Sequence, residues 1–297
     1  MSVQDQVFDA VIVGAGPAGV SCAVWLARLG FAPALIEASD HIGGLCRANP
    51  YVDDWNACLP GMTGDQIADN LAQSLRLAGL EPRLSSFVRG VRAQPRGVSV
   101  MLQSGDASLS GRFLVLATGV RARPLPGAGD AVPGVLIGPG RHIMAQDFRG
   151  LRVAVLGGGD NAFENALYAT GHGAAAVRLF ARTVRAQRQL VRKVPVAQVV
   201  LGDYVVDAGA RTVNGEAFDL ILVLYGWDPC AEFAQTLDLR RSEHGFIATD
   251  QVTTLTSHHL VYAIGEVAQR LHPCVVTAMA DGIAAAKAIQ ARIEADR

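Results

Sequence analysis

The sequence lacks paired cysteines. Its five (Cys22, Cys46, Cys58, Cys230 and Cys274) are odd in number and no two stand three apart. That pattern argues against a disulfide framework or a zinc site, both of which need close, regular thiol spacing. No cluster of histidine and acid has metal-ligand spacing either. Long apolar runs are also missing: none reaches the roughly 18 residues that cross a bilayer. Net charge is only −1, which gives no bulk attraction to nucleic acid or an acidic membrane. The first apolar run has no basic segment before it and enters a glycine turn. No signal peptide is therefore expected, and the cytoplasm is the expected location.

What is present points to a folded chain. Half the residues are hydrophobic and 18% are charged, a balance that excludes a mostly disordered chain. The 297 residues suffice for two domains of ordinary size. The wealth of Ala, Val, Leu and Gly suits buried parallel strands with tight strand-to-helix turns.

One supersecondary unit occurs twice. The apolar run at 9–13 ends in Gly14-Ala15-Gly16-Pro17-Ala18-Gly19, followed by a helical stretch to about Gly30 and a second run ending at Glu37. Later, 152–156 ends in Gly157-Gly158-Gly159-Asp160-Asn161-Ala162, with a helical stretch and a strand at 176–180. Both read as β-turn-α-β dinucleotide units. A buried strand closes on Ala117-Thr118-Gly119, and another ends at Gly226. The expected fold class is α/β, with two Rossmann-like domains, the second inserted in the first. The expected boundaries are 1–119 with 240–297, and 120–239. Stretches 120–127 and 226–240 are the linkers.

In the first unit, Gly14 permits the turn off the strand, Gly16 admits a pyrophosphate to the backbone, and Gly19 allows close helix packing. Glu37 stands near the distance at which an acid accepts the hydroxyls of an adenosine ribose. In the second unit Gly157, Gly159 and Ala162 repeat this logic. No acid ends the following strand, which argues against dedicated NAD recognition. Arg182 and Arg185 there suit a 2′-phosphate. The alternative is a solvated basic helix face, because Arg185, Arg188, Arg192 and Lys193 also fall at helical spacing.

With these motifs in this order, together with His41-Ile42-Gly43-Gly44 and Ala263-Ile264-Gly265-Glu266-Val267, the chain resembles thioredoxin reductase. It is equally similar to the ferredoxin/flavodoxin–NADP reductases of the same two-domain plan. The resemblance implies an FAD-dependent NAD(P)H oxidoreductase, usually a homodimer, with a small redox protein or small molecule as electron acceptor. It implies FAD at Gly14, Gly16, Pro17, Ala18, Gly19, Glu37, Gly44, Leu45, Asp54, Ala117, Thr118, Gly119, Gly265, Glu266, Pro273, Cys274 and Val275. NADPH, with NADH as the alternative, falls to Gly157, Gly159, Asp160, Asn161, Ala162, Arg182 and Arg185. No catalytic residue is fixed; Cys274 and His272, where a helix start faces the flavin, are the weak candidates.

The departures carry information. Glu266 replaces the usual Asp, and Asp54 stands where an Asn is usual unless Asn56 takes its role. The redox-active CxxC positions fall on Gly140 and Ile143, which carry no sulfur. Disulfide reduction by the dithiol route is disfavoured, and the acceptor is expected to meet the flavin directly. An oxidase of a small molecule with an idle nicotinamide site, or a flavin-bound sensor, would fit the same departures.

Overall fold

The structure is a computed structural model that describes residues 6–49, 52–53, 55–57, 59–103, 107–127, 132–270 and 272–296. The chain divides into two compact units, Met1–Val120 with Pro229–Arg297, and Arg121–Asp228.

The first unit is built on β1 (Val7–Val13), α1 (Pro17–Arg28), β2 (Pro33–Ile36), α2 (Gly64–Leu77), β3 (Val88–Gln94), β4 (Gly97–Leu102) and β5 (Ser108–Leu116). Its sheet runs in the order β2-β1-β5-β4-β3. β1 is parallel to both β2 and β5, whereas β3, β4 and β5 pair antiparallel. The parallel strands are covered on both faces, so they carry unbroken apolar runs: Ala10, Val11 and Ile12 are fully buried. Each such large side chain contributes about 1.5–3 kcal/mol relative to leaving it in water. α2 begins at a capping box in which Thr63 and Gln66 exchange hydrogen bonds.

The second unit holds β6 (Val135–Ile137), β7 (Arg152–Leu156), α3 (Asp160–Gly171), β8 (Ala176–Ala181), β9 (Val199–Leu201) and β10 (Leu220–Val223). Its sheet order is β9-β8-β7-β10-β6, and every adjacent pair is parallel. The chain then returns to the first unit with β11 (Val261–Ala263), parallel to β5, and the long α4 (Val275–Ala295). The two connecting segments, Val120–Ala122 and Trp227–Pro229, pair with one another as a two-stranded sheet.

Residues 229–239, expected in the inserted domain, lie instead with the first unit. The reason is packing. Ala231, Ala234 and Leu237 enter the first unit's core, and Thr236 donates its hydroxyl to the Val91 carbonyl on β3 at 2.9 Å. The alternative of a basic helix face is not realised. Only Arg188–Val191 is helical there, which leaves Arg185 and Lys193 outside it. Among the described residues, no helix is long and apolar enough to cross a membrane.

Candidate functional site

The first glycine loop is built by exclusion. Gly14 has φ +105°, and a Cβ there would overlap the Ala117 carbonyl. A Cβ on Gly19 would overlap the carbonyl oxygen of Gly14, so α1 sits against the loop only because both residues lack side chains. Gly16 is different. Its backbone is extended, and the nearest atom to an added Cβ is the Gly44 Cα at 4.0 Å. Packing does not require glycine at 16, whereas a ligand approaching the backbone at the start of α1 does.

Three further segments close on this loop. Gly43 donates its N–H to the Ala15 carbonyl at 3.0 Å, which brings Gly44 and Leu45 alongside. Glu37, just past β2, accepts the Ala15 N–H at 2.7 Å through Oε2. Its other oxygen accepts the Ser39 N–H at 2.9 Å and the Ser39 hydroxyl at 2.8 Å. Ala117 continues β5 by donating to the Val13 carbonyl at 2.8 Å. The Thr118 hydroxyl donates to the Cys230 carbonyl, and the Cys230 N–H donates to Gly119 at 3.0 Å.

α4 completes this side. Gly282 lets it lie against α1, because a Cβ at 282 would overlap the Ala18 carbonyl. Gly265, at φ +69°, also approaches Ala18: a Cβ there would stand 2.9 Å from the Ala18 Cβ. Gly265, Glu266, Pro273 and Cys274 line one cleft with Arg270 and Asp281. Burial pushes the Glu266 carboxyl above the usual carboxylate range, and none of the described residues donates a hydrogen bond to it. His272, Pro273 and Cys274 are exposed, and Val275 is half-buried at the first helical position. Cys274 caps α4: its sulfur accepts the Thr277 N–H at 3.5 Å. Asp54 lies outside the described residues, and Asn56 is 4% exposed.

Sequence reasoning did not single out the strut beneath this cleft. Asp281 accepts the Gly265 N–H at 3.1 Å and pairs with Arg270, which also donates to the Gln251 carbonyl. The Arg270 and Asp281 side chains are 7% and 6% exposed. The two residues are 11 apart in the chain, and nothing local in the sequence joins them.

The second loop repeats the design with one shift. Gly157 has φ +141°, and its Cβ would overlap the Leu224 carbonyl. Gly158, not singled out from the sequence, cannot hold a Cβ against the Thr183 carbonyl. Gly159 is as open as Gly16 or more so: a Cβ there would meet nothing within 4 Å. Ala162 is fully buried under the loop. Asp160 accepts two hydrogen bonds from Gln187, at 2.7 and 2.9 Å, and Asn161 lends its carbonyl to Asn165. The Arg185 N–H donates to the Gly158 carbonyl at 2.7 Å. Arg182 and Arg185 are exposed, and no acid among the described residues pairs with either.

Two strand-loop-helix cradles, each with one glycine that packing does not explain, have the form of two dinucleotide-binding units. The sequence profile of the pyridine nucleotide-disulphide oxidoreductases matches residues 8–282, and the chain belongs to that family. The ferredoxin–NADP reductase of Limosilactobacillus fermentum is 31% identical over 87% of this chain and 85% of its own. The thioredoxin reductase of Mycolicibacterium smegmatis is 26% identical over 96% of each. The crystal structure of Lactococcus lactis thioredoxin reductase superposes with a TM-score of 0.81 at 26% identity, covering 97% of this chain and 99% of that one. The protein is an FAD-dependent pyridine-nucleotide oxidoreductase.

Proposed function

We propose that the protein passes electrons from NAD(P)H through FAD directly to an acceptor, a small redox protein such as ferredoxin or flavodoxin or a small oxidant, with no dithiol between. The observation that carries this reading is the state of the thiols. Positions 140 and 143, where the resemblance puts the dithiol, are Gly140 and Ile143. Cys46, beside the first glycine loop, is buried, and burial together with the charges of Asp53 and Glu266 pushes its thiol to about 11. Cys22 is buried and pushed to about 12. A thiol so raised is not a thiolate nucleophile at neutral pH. The relatives include enzymes named for ferredoxin and for thioredoxin. The thiol pattern favours the first kind of acceptor.

When bound, FAD supplies hydride acceptance and onward electron transfer. The protein's own work is placement. Gly16 leaves the start of α1 open to the pyrophosphate, and Glu37 stands where it meets an adenosine ribose. Glu266 has no hydrogen-bond donor among the described residues and suits a hydroxyl of the ribityl chain. The N–H groups at the start of α4 present positive potential to the pyrimidine side. Gly159 and the start of α3 repeat the pyrophosphate cradle for the nicotinamide dinucleotide, with Arg182 and Arg185 on its 2′-phosphate.

The test is an anaerobic titration of the flavin-loaded protein with NADPH and then NADH, followed by mixing with ferredoxin, flavodoxin or oxidised thioredoxin. Bleaching of the flavin by NADPH and reoxidation by ferredoxin or flavodoxin is the expected result. Reoxidation by thioredoxin alone would restore the disulfide reading. Dithionite reduction without any response to nicotinamide would leave the oxidase or sensor.

A further inference from the structure

Tyr204 and Tyr225 come from well-separated strands of the second unit's sheet. Tyr204 follows β9 and Tyr225 follows β10, with β8 and β7 between those strands. Three strand spacings put the two strand ends about 14 Å apart. The phenolic oxygens are nonetheless 3.3 Å apart. The two side chains must therefore reach toward each other across the carboxyl ends of β7 and β8, which carry the Gly157 loop and Arg182. The Tyr204 ring leans on Phe180, 5.8 Å between centroids, and both tyrosines pack on the layer that holds Leu156 and Phe180.

This bridge has donor capacity to spare. Two phenols that share one hydrogen bond leave one O–H unspent. Neither tyrosine has another hydrogen-bond partner among the described residues. Burial pushes both phenols up, and the Arg182 charge acts on both in the opposing sense. They therefore remain neutral donors at ordinary pH, within electrostatic reach of the Arg182 guanidinium, which pairs with no acid among the described residues.

We propose that the Tyr204–Tyr225 bridge is a specificity-determining element of the nicotinamide site, its unspent O–H donating to the adenosine 2′-phosphate beside Arg182. A neutral phenol then adds a donor to the charges of Arg182 and Arg185 after β8, where the neighbouring Ala181 and Thr183 carry no charge. The proposal rests on the reading of the second loop as the NAD(P)H site.

The experiment compares 2′,5′-ADP with 5′-AMP by titration calorimetry on the flavin-loaded protein, in wild type, Tyr204→Phe, Tyr225→Phe and Arg182→Met. One of the two phenylalanine variants is expected to weaken 2′,5′-ADP about tenfold, the scale of one charge-assisted hydrogen bond. 5′-AMP is expected to bind unchanged. The same variant raises KM for NADPH with kcat held, and leaves NADH alone. Combined with Arg182→Met it costs less than the sum of the two, because both hold one phosphate. Equal weakening of both nucleotides would make the bridge a structural brace only and overturn the proposal, as would no change in either. Should a phenylalanine variant not fold, Arg182→Met decides: no loss of 2′,5′-ADP over 5′-AMP removes the phosphate from this edge. Wild-type protein that binds neither nucleotide, with its flavin unbleached by NADPH, would bring down the nicotinamide reading itself.

Discussion

Glu37 accepts the backbone N–H of Ala15 at 2.7 Å, so the acid that ends the second strand is bonded into the first glycine loop. One carboxylate thus fixes the loop's shape while standing at the proposed ribose site. Glu37→Gln keeps the length but turns an NH2 toward a donor. The lost charge-assisted bond is worth about 1.5–3 kcal/mol. The variant is expected to melt several degrees lower even without flavin, and to lose FAD on gel filtration. An unchanged flavin-free melting temperature would show that the bond to Ala15 does not hold the loop.

The glycines separate into two kinds by the same reasoning. Gly19→Ala and Gly158→Ala drive a methyl into a backbone carbonyl and should cost several kcal/mol with or without ligand. Gly16→Ala and Gly159→Ala meet open space, so unfolding in the absence of ligand should move by less than about 1 kcal/mol. Their defect appears in binding: Gly16→Ala weakens FAD, and Gly159→Ala weakens NADPH with FAD retained. Urea unfolding of the flavin-stripped protein, set beside flavin content and NADPH titration, reads both. Equal stability losses in all four would make every glycine a packing residue.

The buried pair Arg270–Asp281 gives a stability prediction. Removing one partner leaves a charge in an apolar site, and such losses run about 3–5 kcal/mol. Asp281→Asn also weakens the acceptor of the Gly265 N–H, so the turn carrying Glu266 loosens. Arg270→Met with Asp281→Asn should cost less than Asp281→Asn alone. A double mutant that unfolds at the sum of the single losses would show that the two side chains act independently.

The thiols predict a labelling pattern. Cys274 is exposed at its cap, whereas Cys46 and Cys22 are buried with thiols pushed to about 11 and about 12. Iodoacetamide at pH 8, mapped by mass spectrometry, should modify Cys274 well before either. Because their folded pKa values are raised, the native state keeps protons that the unfolded chain releases above about 9. Stability from these groups is present below that pH and falls as pH rises toward 11. Rapid labelling of Cys46 at pH 8 would reopen a thiol relay near the first loop.

Glycine spacing was readable in the sequence because the sharp turn off each strand is a local event that needs positive φ, as at Gly14 and Gly157. The elements around it followed from apolar runs, and β1, β7 and β8 lie where those runs are. Gly158 was missed because what excludes its Cβ is the carbonyl of Thr183, beyond the whole of α3 and β8. Arg270 with Asp281, and Tyr204 with Tyr225, exist only as tertiary encounters between side chains that no period links. The boundary near 229 was misplaced for a related reason. Short, proline-marked segments read as linkers, yet Ala231, Ala234 and Leu237 find a core to enter.

Glu266 carries the last prediction, because its environment and its expected task pull in opposite directions. Burial raises its carboxyl and no described residue donates to it, so ionising it in the flavin-stripped protein is unfavourable. Its folded pKa lies above the unfolded value. Between the two, the native state holds a proton that the unfolded chain has released, and stability falls as pH rises through that window. Glu266→Gln has no such proton, so its stability relative to wild type should improve from pH 4 to pH 7 in urea titrations of the flavin-stripped protein. FAD should reverse the order, because a ribityl hydroxyl can donate to the carboxylate and supply the missing partner. The variant is then more stable empty and binds flavin more weakly. If it were less stable empty at pH 7, the acid would have a structural partner. If it bound FAD as tightly as wild type, the ribityl chain would lie elsewhere.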